Sequence, residues 1–185
     1  LLLAVCVDAV PQSERSPLPI YYLAYFASLQ NDAAKARTYL AQAAQMRRDF
    51  VFPSQPEAVE IFEYATRSNP NDALAHLHLG NLYAHLDRLE EAREHWQRAV
   101  DLDSSLSIAF RNLALYAWAA EEDFSKAEQL YRKAIAARPK DQTLYRDLAD
   151  VLLAGKKRPE AIKVLESTPF EKLRRADIII MLAQA

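Results

Sequence analysis

The residues able to do chemistry in this 185-residue chain are few, and their spacing favours contact over reaction. The histidines are His76, His78, His85 and His95. His78 and His85 share one face of a helix, but two turns separate them, too far to hold one metal ion. The single cysteine, Cys6, can form neither an internal disulfide nor a metal cluster by itself. It suits a reducing compartment, and the chain is read as cytoplasmic. The sequence has no HExxH, no Cys–His ligand spacing, no glycine-rich phosphate loop and no GxSxG. Its serines and carboxylates are scattered as caps and solvent-facing residues, with no nucleophile placed beside a base. The expectation is a non-catalytic chain with no cofactor and no metal.

A recognition set is easier to assemble: Asn81, His85, Arg111, Asn112, Trp118, Arg146 and Asp150, with Tyr21, Tyr22 and Tyr25 upstream. Arg111 and Arg146 fall at equivalent places of successive helical units and could together grip an acidic peptide through charge-assisted hydrogen bonds. The alternative is that Arg146 pairs with Asp150 four residues on and Arg111 is simply solvated. Trp118 could be an exposed anchor of the kind that dominates interfaces, or could pack under the neighbouring Glu121–Glu122 segment. The three tyrosines suit a binding surface, or packing against a helix N-terminal to them.

The elements that must position these side chains are helices. Nine Pro and two Gly in the whole chain argue against turn-rich β structure, which needs Gly at positive φ. Apolar residues at 51% and charged residues at 26% are ordinary for a globular protein. A net charge of −2 is not the footprint of a nucleic-acid binder. No apolar run approaches ~18 residues, so no membrane insertion is expected. The opening LLLAVCVDAVP lacks a basic n-region and is interrupted by Asp8, and so reads as the end of a preceding helix over residues 1–15. ADIIIMLAQA, at the other end, reads as a helix cut in its middle, so the chain looks like an excised piece.

Periodicity organises the rest. From Ala73, Leu79, Gly80, Tyr83, Ala92, Trp96 and Ala99 stand at positions 7, 8, 11, 20, 24 and 27 of a unit, counting Leu79 as 7 and Gly80 as 8. Gly80 and Ala92 let two antiparallel helices approach, while Tyr83 and Trp96 bury large surfaces. Phe110, Leu113, Ala114, Ala117, Ala127, Tyr131 and Ala134 repeat the pattern from Ser107, with the second half shifted by one residue. That shift predicts an insertion near Glu121–Glu122. A further unit opens at Gln142, and Gly155 is expected to supply positive φ in its turn. Upstream, Ile20, Leu23, Ala24, Ala27, Ala36, Leu40 and Ala43 fit a unit from Pro17, with Asp32 capping its second helix.

These residues resemble the tetratricopeptide repeat (TPR) superfamily, whose units are helix pairs of about 34 residues. The resemblance implies an all-α, right-handed superhelical solenoid. Its units are 17–50, 73–106, 107–141 and 142–175, with the first helix of another at 176–185. One phase break is expected around 48–72. Residues 51–72 are set apart as linker and extra helix: the linker DFVFPSQ, with Phe50 and Phe52, starts two residues earlier at Asp49, and the helix has second-helix spacing. A first helix is missing there, so either a change of superhelical direction or a non-standard helix pair is expected.

The family also implies a concave groove lined by the first helix of each unit, at positions 2, 5, 9, 12 and 13, with position 6 beside them. It implies a protein or peptide partner and allows self-association. One TPR subclass clamps C-terminal carboxylates with Lys at position 5 and cations further on. Here Leu77, Thr143 and Asp147 stand at those places, which removes that ligand. More narrowly, YYLAYF, RDFVFP, NPND, LGNLYAHLDRLEEAREHW and IAFRNLALYAW, in that order, resemble a group of bacterial proteins. In that group a TPR array follows an N-terminal domain related to β-sandwich carbohydrate-active proteins. That resemblance implies a helical arm that positions a catalytic domain or mediates self-association.

Overall fold

The computed structural model describes residues 16–46, 55 and 57–167. Cys6, Phe50, Phe52 and the expected helix at 176–185 lie outside them. The described elements are all helices: α1 (Leu18–Leu29), α2 (Ala33–Ala44), α3 (Ala58–Ser68), α4 (Ala73–His85), α5 (Leu89–Leu102), α6 (Ser107–Ala119), α7 (Phe124–Ala137), α8 (Gln142–Ala154) and α9 (Arg158–Glu166). Two compact units divide the chain between Leu102 and Asp103.

In the first unit α1–α2 and α4–α5 form antiparallel hairpins. Aspartates start the helices they precede: Asp32 accepts from the Lys35 N–H, and Asp72 accepts from the Leu74 and Ala75 N–H groups. Each occupies donors that no helical carbonyl can reach. The α4–α5 contact is as close as the sequence requires. A Cβ on Gly80 would lie 2.6 Å from Trp96 Cδ1 and 3.0 Å from the Ala92 carbonyl oxygen.

In the second unit α6–α7 and α8–α9 are hairpins, and α7 also packs on α8. Ala114, Ala127, Tyr131, Leu148, Ala149 and Leu165 form part of one buried cluster. Small residues set the helix spacing there, and Tyr131 fills the remaining volume.

The turns inside the hairpins share one construction. A non-glycine residue takes φ near 60° at Asn31, Asp87 and Lys156, and φ 53° at Glu122. The next N–H then returns to the preceding helix: Asp32 to the Ala27 carbonyl, Arg88 to Tyr83 and Lys157 to Leu152, each five residues back. Asp123 reaches six residues back to Ala117, because this turn has one more residue. The expected insertion at Glu121–Glu122 is therefore real. The expectation for Gly155 is corrected: its φ is −77°, and Lys156 carries the left-handed conformation. Gly155 sits where a Cβ would come within 3.4 Å of Phe124 Cβ and 3.3 Å of the Val151 carbonyl oxygen, so it is small for packing reasons.

The extra helix α3 has an apolar stripe of Ala58, Ile61, Phe62, Ala65 and Thr66, all buried. Its packing partners are α1 and α4, which belong to different hairpins. The non-standard helix pair or change of direction expected near 48–56 falls on residues that lie, but for 55, outside those described.

Candidate functional site

The groove positions predicted from the repeat register have different surroundings in the two units. In the first unit Tyr21 is wholly buried, and Leu74, Leu77 and His78 are at most 2% exposed. The cover is α3. The Phe62 ring lies 4.9 Å from the Tyr21 ring and 5.2 Å from the His78 ring. Tyr64 meets Tyr25 edge-on at 5.8 Å. Glu63 Oε1 accepts the Tyr83 hydroxyl at 2.9 Å.

Tyr21 accordingly leaves the set of surface binding candidates. Its hydroxyl donates to Asp72 Oδ2 at 2.9 Å, while Oδ1 of the same carboxylate caps α4. Burial, with the Asp72 charge second, raises the Tyr21 pKa well above its ordinary value. Burial also raises Asp72, and the hydrogen bonds it accepts oppose that. Tyr21 and Tyr25 pack on α3, and Tyr21 also reaches the α4 N-terminus, where the sequence had suggested packing only on a helix upstream. Tyr25 remains half-buried and His85 exposed. Asn81 turns to the α5 side, where its Oδ1 accepts from Trp96 Nε1 at 2.9 Å.

The other histidines are structural. His76 Nε2 faces the Pro70 carbonyl oxygen at 3.3 Å and must donate to it. Its Nδ1 is then the acceptor for the Nδ1–H of His95, 2.9 Å away. Burial, then the neighbouring His95, lowers the His76 pKa to about 4. Burial lowers His95 too, against the charges of Glu94, Glu91 and Glu63. His78 is buried under Phe62 with no protein partner for either ring nitrogen, and burial lowers its pKa to about 4. Among the described residues no group of three or more His, Cys, Asp or Glu is placed to hold a metal.

In the second unit most of the same register positions stay accessible, with Asp147 the buried exception. Ile108, Arg111, Asn112, Leu115, Trp118, Thr143, Arg146 and Asp150 are all half-buried. Two arginines from neighbouring helices converge on one buried carboxylate, a link the sequence reading missed. Arg111 Nε donates to Asp147 Oδ2 at 2.8 Å, and Arg146 Nη2 donates to Oδ1 at 2.7 Å. Asp147 had been noted only as an acid in a place where a clamp needs a cation. Arg111 is not merely solvated: it is held from behind through Nε while its side chain stays 35% exposed. Trp118 packs partway onto the unit's core and keeps an open side. Tyr131, fully buried nearby, has a hydroxyl without a protein partner, and burial together with the Asp147 charge raises its pKa. Asn112 and Asp150 are each engaged with other groups.

Tetratricopeptide repeat models match residues 56–107 and 119–185. The chain is built of tetratricopeptide repeats. Protein O-mannosyl-transferase TMTC3 is 32% identical in Homo sapiens over 111 residues and 30% in Mus musculus over 112. Each alignment takes in 52% of this TPR chain but 12% of the relative, so the chain spans a small part of those proteins. Among solved structures, MamA is similar at 16% identity and TM-score 0.58, over 99% of this chain and 88% of that one. YrrB, titled a TPR protein with an unusual peptide-binding site, has 16% identity and TM-score 0.58, over 98% and 97%. The Cut9–Hcn1 assembly has 16% identity and TM-score 0.59, over 98% of this chain and 38% of that one. These likenesses establish the all-α TPR fold. No helix among the described residues is long and apolar enough to cross a membrane.

Proposed function

We propose that this chain is a non-catalytic scaffold and that the open α6–α8 face of its second unit binds a peptide segment of a protein partner. The observation that carries the reading is the convergence of Arg111 and Arg146 on Asp147. A buried carboxylate fixes two guanidinium groups on adjacent first helices, so less side-chain freedom is lost when a ligand arrives. Arg111 uses one of its five donors on Asp147, which leaves its Nη groups for an acidic side chain. Trp118 supplies apolar contact area on the same helix, and Asn112 and Asp150 add polar edges. Tyr25, Asn81 and His85 are candidates of the first unit, where α3 leaves less room.

The test is to select peptides on the chain from a random display library and then measure the selected peptides on variants. Arg111→Ala/Arg146→Ala and Trp118→Ala should each weaken binding about tenfold or more. Affinity unchanged in both variants, with folding intact, removes the reading.

A second reading is a helical arm of a larger carbohydrate-related protein, positioning a catalytic domain or mediating self-association. It is supported by the match to a small part of proteins named O-mannosyl-transferases. Reading the gene upstream of the Leu1 codon tests it. A β-rich domain there supports the arm, and further repeats alone oppose it.

A further inference from the structure

His76 of α4 and His95 of α5 face each other with their Nδ1 atoms 2.9 Å apart. Their ring centroids are 5.0 Å apart and their planes differ by 29°. With the nitrogens so much nearer than the centroids, the rings meet edge to edge, as an N–H···N hydrogen bond requires. Such a bond holds one proton between two nitrogens.

The far side of His76 decides where that proton lies. A carbonyl oxygen only accepts, so His76 Nε2 carries a hydrogen and donates to Pro70, 3.3 Å away. His76 Nδ1 is then a lone pair, and His95 carries its hydrogen on Nδ1. The chain from His95 through His76 to Pro70 ties α5 to the connection between α3 and α4. Arg98 of α5 reaches the same connection at Pro70 and Asn71. His95 Nε2 is the one nitrogen of the pair that stands outside the chain.

The surrounding groups rank the two rings. Burial lowers the His95 pKa, against the charges of Glu94 and Glu91 on α5 and Glu63 on α3. His76 has no carboxylate in its favour: burial, then His95 and Arg98, hold it down to about 4, and only its bond to Pro70 opposes them. The Tyr83 ring of α4 lies 5.5 Å from that of His95 and adds no charge of its own.

We propose that His76 and His95 form a two-step acid latch between α5 and the α3–α4 connection. The first proton enters at His95 Nε2 and leaves both hydrogen bonds in place. The second enters at His76 Nδ1 and breaks the link, because both facing nitrogens then carry hydrogens and the two cations repel. Both charged forms are disfavoured in the fold. The stability contributed by the neutral pair is therefore present above about pH 6.5 and is lost as pH falls through the two steps.

The test is to record side-chain nitrogen NMR spectra of the full chain from pH 8 to pH 4. The same series on His78→Leu removes the other buried histidine from the acid response. At pH 8 His95 should carry its hydrogen on Nδ1 and His76 on Nε2. His95 should titrate first, and the backbone signals of residues 69–72 should move only with the later His76 step. His95→Leu should raise the His76 midpoint toward the ordinary histidine range. A hydrogen on His95 Nε2 at pH 8, a common midpoint for both rings, or movement of 69–72 in the first step overturns the latch. Should His95→Leu fail to fold, the wild-type series decides by those same three signs.

Discussion

The two units use the same repeat register for opposite ends. In the first, part of the helix faces that would meet a ligand is roofed by α3, and Tyr21, Leu77 and His78 have become core, while Leu29 and His85 stay exposed. In the second, the equivalent positions carry Arg111, Arg146 and Trp118 and remain half-buried. The difference shows that a TPR register fixes which side chains share a face, while an additional helix decides whether that face is surface or interior. It also divides the polar chemistry. The first unit buries histidines and a tyrosine–aspartate hydrogen bond, and the second buries one carboxylate between two cations.

The largest expected contrast comes from truncating the aromatic on each face. Phe62→Ala should cost about 3–5 kcal/mol, as for other buried aromatics. Trp118→Ala, whose ring is only partly buried, should cost less, about 1–2 kcal/mol. Urea denaturation of both variants checks this. Similar losses would mean that the two faces are equally covered.

Acid should act on the first unit alone through histidine, since the second unit contains none. The folded pKa of His78 is depressed to about 4, below its unfolded value. Its contribution is therefore intact above about pH 6.5 and is lost as pH falls toward 4. The loss is roughly 3 kcal/mol. His76, also lowered to about 4, adds in the same direction. Denaturation curves at pH 7.5 and 4.5 should separate, and His78→Leu should shrink the separation. An unchanged separation in that variant would place the acid sensitivity elsewhere.

The two fully buried tyrosines make a matched pair. Tyr21→Phe removes a donor to the buried Asp72 carboxylate and should cost about 1.5–3 kcal/mol. Tyr131→Phe removes a hydroxyl with no protein partner and should be neutral within ~0.5 kcal/mol or stabilising. Thermal melts of both variants read the difference, and a large loss at Tyr131 would reveal a bonded hydroxyl.

The smallest effect concerns the turns. The left-handed positions hold Asn31 and Asp87 in the first unit but Glu122 and Lys156 in the second. Asn and Asp tolerate that conformation better than long side chains do. Lys156→Gly should therefore gain up to about 1 kcal/mol, and Asn31→Gly should gain nothing. Calorimetry on the pair tests this.

By itself the sequence determined the helices, their pairing and the close approach at Gly80 and Trp96. A 3.6-residue apolar period and small residues at fixed intervals are local properties of the chain, and so was the extra residue at Glu121–Glu122. Position Gly155 misled, because a glycine at a helix end suits positive φ and close packing equally well. Only the tertiary structure decided where α3 docks, and with that the loss of Tyr21 from the surface. Tyr21 and Asp72 are 51 residues apart, and Arg111 and Asp147 are 36 apart. No periodicity ties the members of such pairs together. They meet because packing brings particular helix faces into contact, and a buried carboxylate must then take whatever donors those faces present.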